Sequence, residues 1–287
     1  MSISGAIGVR EEDLPWVDIG VRPGYNQRYK GFFDKKRKIS ARIGSLYAEP
    51  YYHSPRHRHT FQQVRYVLSG QMKYGHEVYQ KDDCLYLPEG AYYGPIKPID
   101  DGQQLHFADI QFEGFSGIPY PDPDDVVNAQ KELEKIGKFN EGVFTFPDGR
   151  NRDAYEAILE QITGEKITYP EPWLNSYTVI RTSKVGWRKH EILEGVEIKD
   201  LAYFFSTGPN LKLISIKKEC FLPKKIAKGN VALFLLNGVL EFSDETFNSL
   251  SYFILPKSEE YSEIKAKEDA KIFVVSWSDG NLPFDII

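Results

Sequence analysis

The chain is poor in sulfur, with two cysteines and two methionines among 287 residues. Cys84 and Cys220 lie far apart, each within an apolar segment typical of a strand. This pattern excludes the dense disulfide framework that holds small secreted domains together. We expect two buried free thiols in a reducing compartment.

The chain also lacks the patterns of secretion and membrane insertion. Glu11, Glu12 and Asp13 follow a short apolar start that has no basic region, unlike a signal peptide. No apolar run reaches the ~20 residues that a membrane-spanning helix needs. Together with the expected free thiols, these features predict a cytoplasmic protein without a membrane partner.

Positive charge is in deficit, since 36 Lys and Arg residues stand against 41 Asp and Glu residues and the formal net charge is -5. A nucleic-acid-binding surface needs a basic excess to neutralise phosphates. We therefore expect no nucleic-acid partner. We interpret the short basic runs at 35–38 and 217–218 as solvated surface.

Aromatic residues are abundant at 14% of the chain, and they favour strands. Short runs of alternating polarity, separated by turn signals such as Ser69-Gly70, fill residues 31–117 and resume from Thr178 to Trp277. This pattern is typical of antiparallel barrels and jelly rolls. The length exceeds that of a usual single domain, so we expect two domains.

A spaced set of polar residues begins with His57 and His59 and continues with Gln63 and Gly70. In an extended strand His57 and His59 project to the same side, and Gln63 rejoins that side after a turn. Imidazole nitrogens and an amide oxygen are donors that suit zinc, nickel or iron. A pair of histidines on a strand is more often an ordinary surface or core pair, so the rest of the pattern decides the interpretation.

The rest of the pattern is Pro88-x-Gly90-x-x-Tyr93. Together the two segments resemble the motifs of the cupin superfamily, which read His-x-His-xxx-Glu-xxxxxx-Gly and Pro-x-Gly-x-x-His. Here Gln63 stands in the Glu position and Tyr93 in the last His position. The spacing fits throughout, and two of the four ligand types differ.

The resemblance implies one divalent metal ion (Zn, Ni, Fe or Mn) held by His57, His59 and Gln63, with Tyr93 as fourth ligand or as proton donor. Such a site is less anionic than the usual cupin set. It would hold the ion more weakly and make it a stronger Lewis acid. A barrel without metal is the alternative.

The chain repeats itself internally. Gly70 precedes Pro88 by the same spacing as Gly238 precedes Pro256, and similar apolar segments flank both pairs. Two barrels in one chain explain this repeat. The same offset brings three residues to the ligand positions of the second barrel, which we therefore expect to be structural and without metal: Lys225, Ala227 and Val231.

We predict an all-β dominated fold of two tandem cupin (jelly-roll) β-barrels joined by a short helical segment. Acidic caps and following glycines predict helices from about Val126 to Ile136 and from Arg152 to Ile162. The expected domains are an N-terminal arm (1–30), a metal-binding barrel (31–117), a helical linker (118–170) and a second barrel (171–287).

Two further residues are candidates for substrate binding. Arg65 shares the face of Gln63, and a buried guanidinium demands an anion. That anion is either an acidic substrate, which would give Arg65 a binding or catalytic role, or an internal carboxylate from Glu77, Asp109 or Glu113. A parity error of one residue is a further alternative. His106 lies on a later strand, on the face opposite Phe107, and is the second candidate.

The resemblance implies a metal-dependent enzyme of isomerase, cyclase or dioxygenase type acting on a small acidic or carbonyl-containing substrate. The alternative is a bicupin, a two-barrel cupin, that binds a small molecule without catalysis. Fold alone does not choose among these activities. The protein is expected to be a monomer, or a homodimer formed through its N-terminal arm.

Overall fold

The structure is a computed structural model that describes residues 5–18, 24–34, 39–74, 76–99, 104–114, 121, 123–205 and 207–278. The basic run at 35–38 lies outside these residues, while Lys217 and Lys218 are exposed as expected. The strands before the first α-helix are β1 (Ile7–Val9), β2 (Val17–Asp18), β3 (Tyr25–Asp34), β4 (Ile39–Ala48), β5 (Phe61–Ser69), β6 (Gln71–Tyr74), β7 (Glu77–Gln80), β8 (Asp83–Leu87), β9 (Ile96–Pro98) and β10 (Leu105–Glu113).

The helical segment contains α1 (Pro123–Glu134), α2 (Ala154–Thr163) and the short strands β11 (Lys138–Asn140), β12 (Val143–Thr145) and β13 (Asn151–Asp153). α2 starts two residues later than predicted, because the Asp153 side chain caps it by accepting hydrogen bonds from the backbone N–H groups of Tyr155 and Glu156. It ends at Gly164, which adopts the left-handed conformation. Neither described helix has the length and apolar character to cross a membrane.

The remaining strands follow the helical segment, and 3-10 turns lie at Glu11–Asp13 and Thr182–Lys184. These strands are β14 (Thr178–Arg181), β15 (Arg188–Lys189), β16 (Val196–Tyr203), β17 (Asn210–Ile216), β18 (Phe221–Leu222), β19 (Lys225–Ile226), β20 (Asn230–Asn237), β21 (Val239–Phe242), β22 (Glu245–Asn248), β23 (Tyr252–Leu255), β24 (Glu260–Tyr261), β25 (Ile264–Ala266) and β26 (Ala270–Trp277).

Two large antiparallel sheets of seven strands dominate the fold. The first large sheet has the order β14-β8-β5-β10-β4-β3-β2, and the second has the order β1-β23-β20-β26-β17-β16-β15. Smaller sheets, β7-β6-β9 and β18-β25-β21-β22, form separate hydrogen-bonded units. The β-dominated fold is as predicted. Over the described residues, however, no closed barrel forms, because the small sheets are not hydrogen-bonded into the large ones.

Three apolar clusters hold these sheets together. One lies between the first large sheet and its small sheet, and includes Leu46, Val67 and Tyr74. A second fills the corresponding space in the C-terminal half. The third joins the two large sheets through their other faces, where residues such as Ile110 and Phe273 are fully buried. The two halves therefore share one continuous apolar interface, which favours a rigid scaffold for any site.

Two strands join the large sheet that is built mainly from the other half of the chain. β1, from the expected N-terminal arm, pairs with β23 in the second large sheet. β14, from the expected second barrel, pairs with β8 in the first. One edge of each large sheet is thereby extended by a strand from the other part of the chain, which pairs the outward backbone donors and acceptors of β8 and β23.

The internal repeat corresponds to repeated structure. Gly70 and Gly238 both have positive φ, of 77° and 95°. A Cβ at Gly70 would meet the Gln104 carbonyl oxygen at 2.6 Å, and one at Gly238 would meet the Asp269 carbonyl oxygen at 2.5 Å. Both positions therefore require glycine, for its left-handed conformation and for the close approach of a second backbone segment.

Candidate metal site

His57 stands just before β5 and is fixed by a backbone bridge to Tyr93. The His57 N–H donates to the Tyr93 carbonyl at 3.0 Å, and the Tyr93 N–H donates to the His57 carbonyl at 2.9 Å. His57 Nδ1 lies 2.7 Å from the Pro55 carbonyl oxygen, so Nδ1 carries the proton of the neutral ring. The lone pair is then on Nε2, which is the arrangement of a metal-binding histidine oriented by a backbone carbonyl.

Tyr93 brings the second histidine and Gln63 together. Its hydroxyl oxygen lies 2.9 Å from Nδ1 and 3.2 Å from Nε2 of His59, and 3.4 Å from the Gln63 Oε1. The ring centroids of His57 and His59 are 5.0 Å apart. The Tyr93 hydroxyl therefore contacts His59 and Gln63, and the His57 ring lies beside those of His59 and Tyr93, with centroids 5.0 and 4.4 Å away.

The orientation of the Gln63 amide is set from behind by Asp109. Gln63 Nε2 donates to both carboxylate oxygens of Asp109, at 2.8 and 3.0 Å. This fixes the amide, because only its NH₂ group can donate to a carboxylate. The amide oxygen is left facing Tyr93.

Asp109 is fully buried and pairs with Arg65, whose Nε donates to its Oδ1 at 2.9 Å. The other guanidinium nitrogens donate to the hydroxyls of Tyr74 at 2.6 Å and Tyr25 at 3.1 Å. Burial alone would lower the pKa of Arg65, but the surrounding oxygens of Tyr74, Tyr25 and Asp109 outweigh it and hold that pKa well above its usual value.

Of the roles predicted for Arg65, the internal ion pair with Asp109 is the one present. The substrate clamp has no support, since all three guanidinium nitrogens already bind partners inside the protein. Arg65 is instead a positioning residue, because it holds the carboxylate that holds Gln63.

Two further groups complete the set of hydrogen-bond donors around Asp109, here called its shell. The sequence analysis identified neither of them. Tyr29 and the amide of Gln111 each donate to its Oδ2. Burial, followed by the charge of Asp109, raises the pKa of Tyr29 well above its usual value, so this phenol stays protonated. The negative charge of Asp109 is therefore compensated by Arg65 and by the hydrogen bonds within the shell. It does not act on the histidines as an uncompensated charge.

Two of the donor separations are compatible with ligands of one first-row divalent ion. Two ligand atoms that each lie about 2.1 Å from one ion stand about 3.0–3.4 Å apart for angles from a right angle to tetrahedral. The His59–Tyr93 and Tyr93–Gln63 separations fall within or close to this range. Over the described residues no cluster of three or more His, Cys, Asp and Glu exists, so the site relies on its amide and phenol.

The net charge of the four donor groups depends on whether the Tyr93 phenol is neutral or anionic. His57, His59 and Gln63 are neutral donors, and the charges of Arg65 and Asp109 cancel. Among the four donors only the phenol can become anionic, and a bound cation lowers the pKa of an oxygen ligand. The phenolate of Tyr93 would then be the group that compensates a divalent charge.

His106 is not brought together with the other candidates. It lies on the face of β10 opposite Phe107, and its ring stacks on Tyr47 with centroids 4.1 Å apart. Phe107 packs inside the first half, in the same cluster as Tyr93. We therefore leave His106 outside the candidate site, and the substrate-binding role predicted for it has no support in this position.

The buried position of His106 predicts an effect on stability at acidic pH. Burial, with a smaller contribution from Arg28, lowers its pKa from 6.5 to about 4. Above pH 6.5 the ring is neutral in both the folded and the unfolded chain. Between pH 6.5 and 4 only the unfolded chain binds the proton, so stability falls as pH falls, by on the order of 3 kcal/mol at full extent.

His106→Phe keeps a stacked ring and removes this titration, and no described residue hydrogen-bonds to the His106 Nε2. Urea unfolding of both proteins at pH 7 and pH 4 is expected to show a smaller loss of stability for the variant. Parallel pH dependences would contradict the buried, neutral histidine.

The helical segment contributes to the site in a way the sequence did not suggest. Tyr155 of α2 lies against His59 with ring centroids 5.1 Å apart, and its hydroxyl is 3.2 Å from the Thr60 Oγ1. Phe61 stacks on His59 with centroids 4.3 Å apart, and it also meets Tyr155 edge-on at 5.7 Å. These two rings form an aromatic cluster with the imidazole and restrict its orientation.

The second half reproduces the backbone of this site without its donors. Lys225 pairs with Tyr261, as His57 pairs with Tyr93. Ala227 and Val231 are buried in an apolar cluster that also contains Phe253. The side chains in the corresponding positions thus build a core.

Solved structures of the same fold provide the comparison. A candidate dioxygenase from Nostoc punctiforme matches with a TM-score of 0.64 at 12% identity, over 96% of this chain and 83% of that one. HEPD from Streptomyces albus, solved with 2-hydroxyethylphosphonate and Fe(II) bound, matches with a TM-score of 0.56 at 12% identity, over 98% and 77%. Oxalate decarboxylase from Lactobacillus farciminis, solved as a formate complex, matches at 0.57 and 11% identity, over 99% and 87%.

No protein-family model matches the chain, and no curated protein matches it either. The three solved structures share the fold of this chain over most of its length. At 11–12% identity the likeness establishes the fold alone. The chemistry of the site must be argued from its own residues.

Proposed function

We propose that the protein is a bicupin metalloenzyme whose first half holds one divalent ion, Zn, Ni, Fe or Mn, through His57, His59, Gln63 and Tyr93. The observation that carries this proposal is the approach of the Tyr93 hydroxyl to both His59 Nδ1, at 2.9 Å, and Gln63 Oε1, at 3.4 Å. The metal-dependent chemistry of HEPD, solved with Fe(II), is compatible with it.

The reaction class is one in which a carbonyl or enol oxygen of a small organic substrate gains negative charge, as in isomerases, cyclases and dioxygenases. A bound divalent ion supplies Lewis-acid polarisation of such an oxygen. Gln63 keeps its amide oxygen directed at the site because Asp109 holds the other end of the amide. Tyr155 and Phe61 pack against the His59 ring and restrict its orientation.

The preference for an acidic substrate is not retained. It rested on Arg65 as an anion clamp, and Arg65 is committed to Asp109, Tyr74 and Tyr25. A neutral carbonyl compound needs no such clamp. The proposed substrate is therefore a small carbonyl compound without an acid group.

Elemental analysis of the protein purified without added metal tests the proposal. One equivalent of iron or manganese supports oxygen or redox chemistry, and one equivalent of zinc or nickel supports Lewis-acid chemistry. Absence of metal, together with no binding of these four ions in titrations, would contradict the proposal and favour a bicupin that binds a small molecule without catalysis.

Tyr93→Phe tests the role of the phenol. We expect the metal affinity to fall at least tenfold, because the variant removes the only ligand able to become anionic. We also expect the affinity to depend less steeply on pH, since the phenol proton is no longer released on binding. Both are read from metal titrations at several pH values. An unchanged affinity would assign Tyr93 as a proton donor instead of a ligand.

A further inference from the structure

A second cavity lies apart from the candidate metal site. Its volume is about 160 Å³, and Gln62, Tyr86, Glu89, Glu171 and Trp173 line it together with two prolines. Gln62 neighbours Gln63 on β5, and successive side chains of a strand point to opposite faces. The cavity is therefore on the other side of the first large sheet from the metal ligands.

Gln62 presents an amide donor there. It is 1% exposed, and its Oε1 accepts hydrogen bonds from the Tyr86 hydroxyl at 2.6 Å and the Glu89 backbone N–H at 3.3 Å. These bonds fix the amide, and no described residue accepts a hydrogen bond from its Nε2. The Nε2 amide group is therefore oriented to donate to an acceptor on a ligand in the cavity.

The remaining lining groups favour positive charge. Glu89 is buried and Glu171 is exposed, and both contribute carboxylates, while the lining contains no Lys or Arg. Trp173 is 60% exposed, and Phe205 supports it edge-on with ring centroids 4.7 Å apart. An exposed indole face next to carboxylates is a favourable place for an organic cation.

We propose that this cavity binds a small organic ammonium ion that also carries a hydrogen-bond acceptor. The cationic head lies against Trp173 between the carboxylates of Glu89 and Glu171, and the acceptor receives the Gln62 Nε2 donor. The site goes beyond the proposed function, because it uses neither the metal ligands nor their side of the sheet. The proposed ligand differs from a neutral apolar molecule of the same shape in its positive charge, and the experiment below tests this difference.

Calorimetric titration of the full-length protein with choline tests the proposal, since choline has a quaternary ammonium head and a hydroxyl. The comparison ligand is its uncharged isostere, in which a tert-butyl group replaces the trimethylammonium. We expect choline to bind at least about tenfold more tightly than the isostere. Equal affinities, or no binding of choline at millimolar concentration, would overturn the proposal.

Variants locate the binding. Glu171→Gln and Trp173→Ala, both at exposed positions, are expected to weaken choline binding about tenfold each. The matched controls Glu165→Gln and Trp187→Ala, outside the cavity, should leave it unchanged. Gln62→Leu should weaken choline but not tetramethylammonium, which lacks the hydroxyl. Unchanged affinity in both cavity variants would refute the site, and metal content should be the same in all of them.

Discussion

Replacing Asp109 with Asn is expected to destabilise the protein by about 3–5 kcal/mol, because the change leaves the Arg65 guanidinium buried without its counter-charge. The other two hydrogen bonds of the guanidinium are to the hydroxyls of Tyr74 and Tyr25, which are neutral and cannot replace the carboxylate. Urea unfolding at pH 7 measures the effect. The same variant is expected to lower metal affinity about 10- to 100-fold, since Gln63 loses the acceptor that orients its amide.

Asp200→Asn is the matched control. Asp200 pairs with Arg188 on the surface, where both side chains are about half exposed. A surface pair of this kind contributes about 0–1 kcal/mol. If both variants lose similar stability, the buried pair does not depend on its charge, and the positioning role given to Arg65 and Asp109 would be wrong.

The ligand residues were predictable because their arrangement is local. Spacing along the chain sets the common side of His57 and His59, and the turn before Tyr93 returns that residue to His57 as a backbone partner. The repeat around Gly70 and Gly238 was predictable for the same reason, since a close backbone approach at a left-handed turn requires glycine wherever it recurs.

The shell around Asp109 was not predictable, because it depends on the register between distant strands. Asp109 stands opposite Arg65, and Gln111 stands opposite Gln63, in the pairing of β10 with β5. That pairing contains an irregularity between His106 and Phe107. A sequence provides the alternation within each strand but not which residue of one strand meets which residue of the other.

The particular strands with which β1 and β14 pair were also not predictable from the sequence. β1 and β14 are short, and their pairing partners β23 and β8 are chosen by which sheet edge remains open. Apolar alternation in such a strand is compatible with either large sheet. The contact between Tyr155 and His59 was not predictable for the same reason, because it depends on where the helical segment packs against the sheet.

Changing both His57 and His59 to Ala is expected to remove the bound metal completely. Gln63 and Tyr93 would remain, and one amide and one phenol form too weak a set to retain a divalent ion against water. The fold is expected to persist, because three apolar clusters that do not include the histidines hold the sheets. Elemental analysis measures the metal, and circular dichroism with thermal unfolding measures the fold.

His53→Ala with His76→Ala is the matched control, since both of these histidines are exposed and stand outside the donor set. This variant should keep the metal content of the unmodified protein. Metal lost from both double variants would indicate adventitious binding to surface imidazoles. Metal retained after loss of His57 and His59 would place the ion elsewhere, and the proposed metal site would be wrong. The proposed cavity at Gln62 and Trp173 is independent of this result, because its own ligand titrations test it.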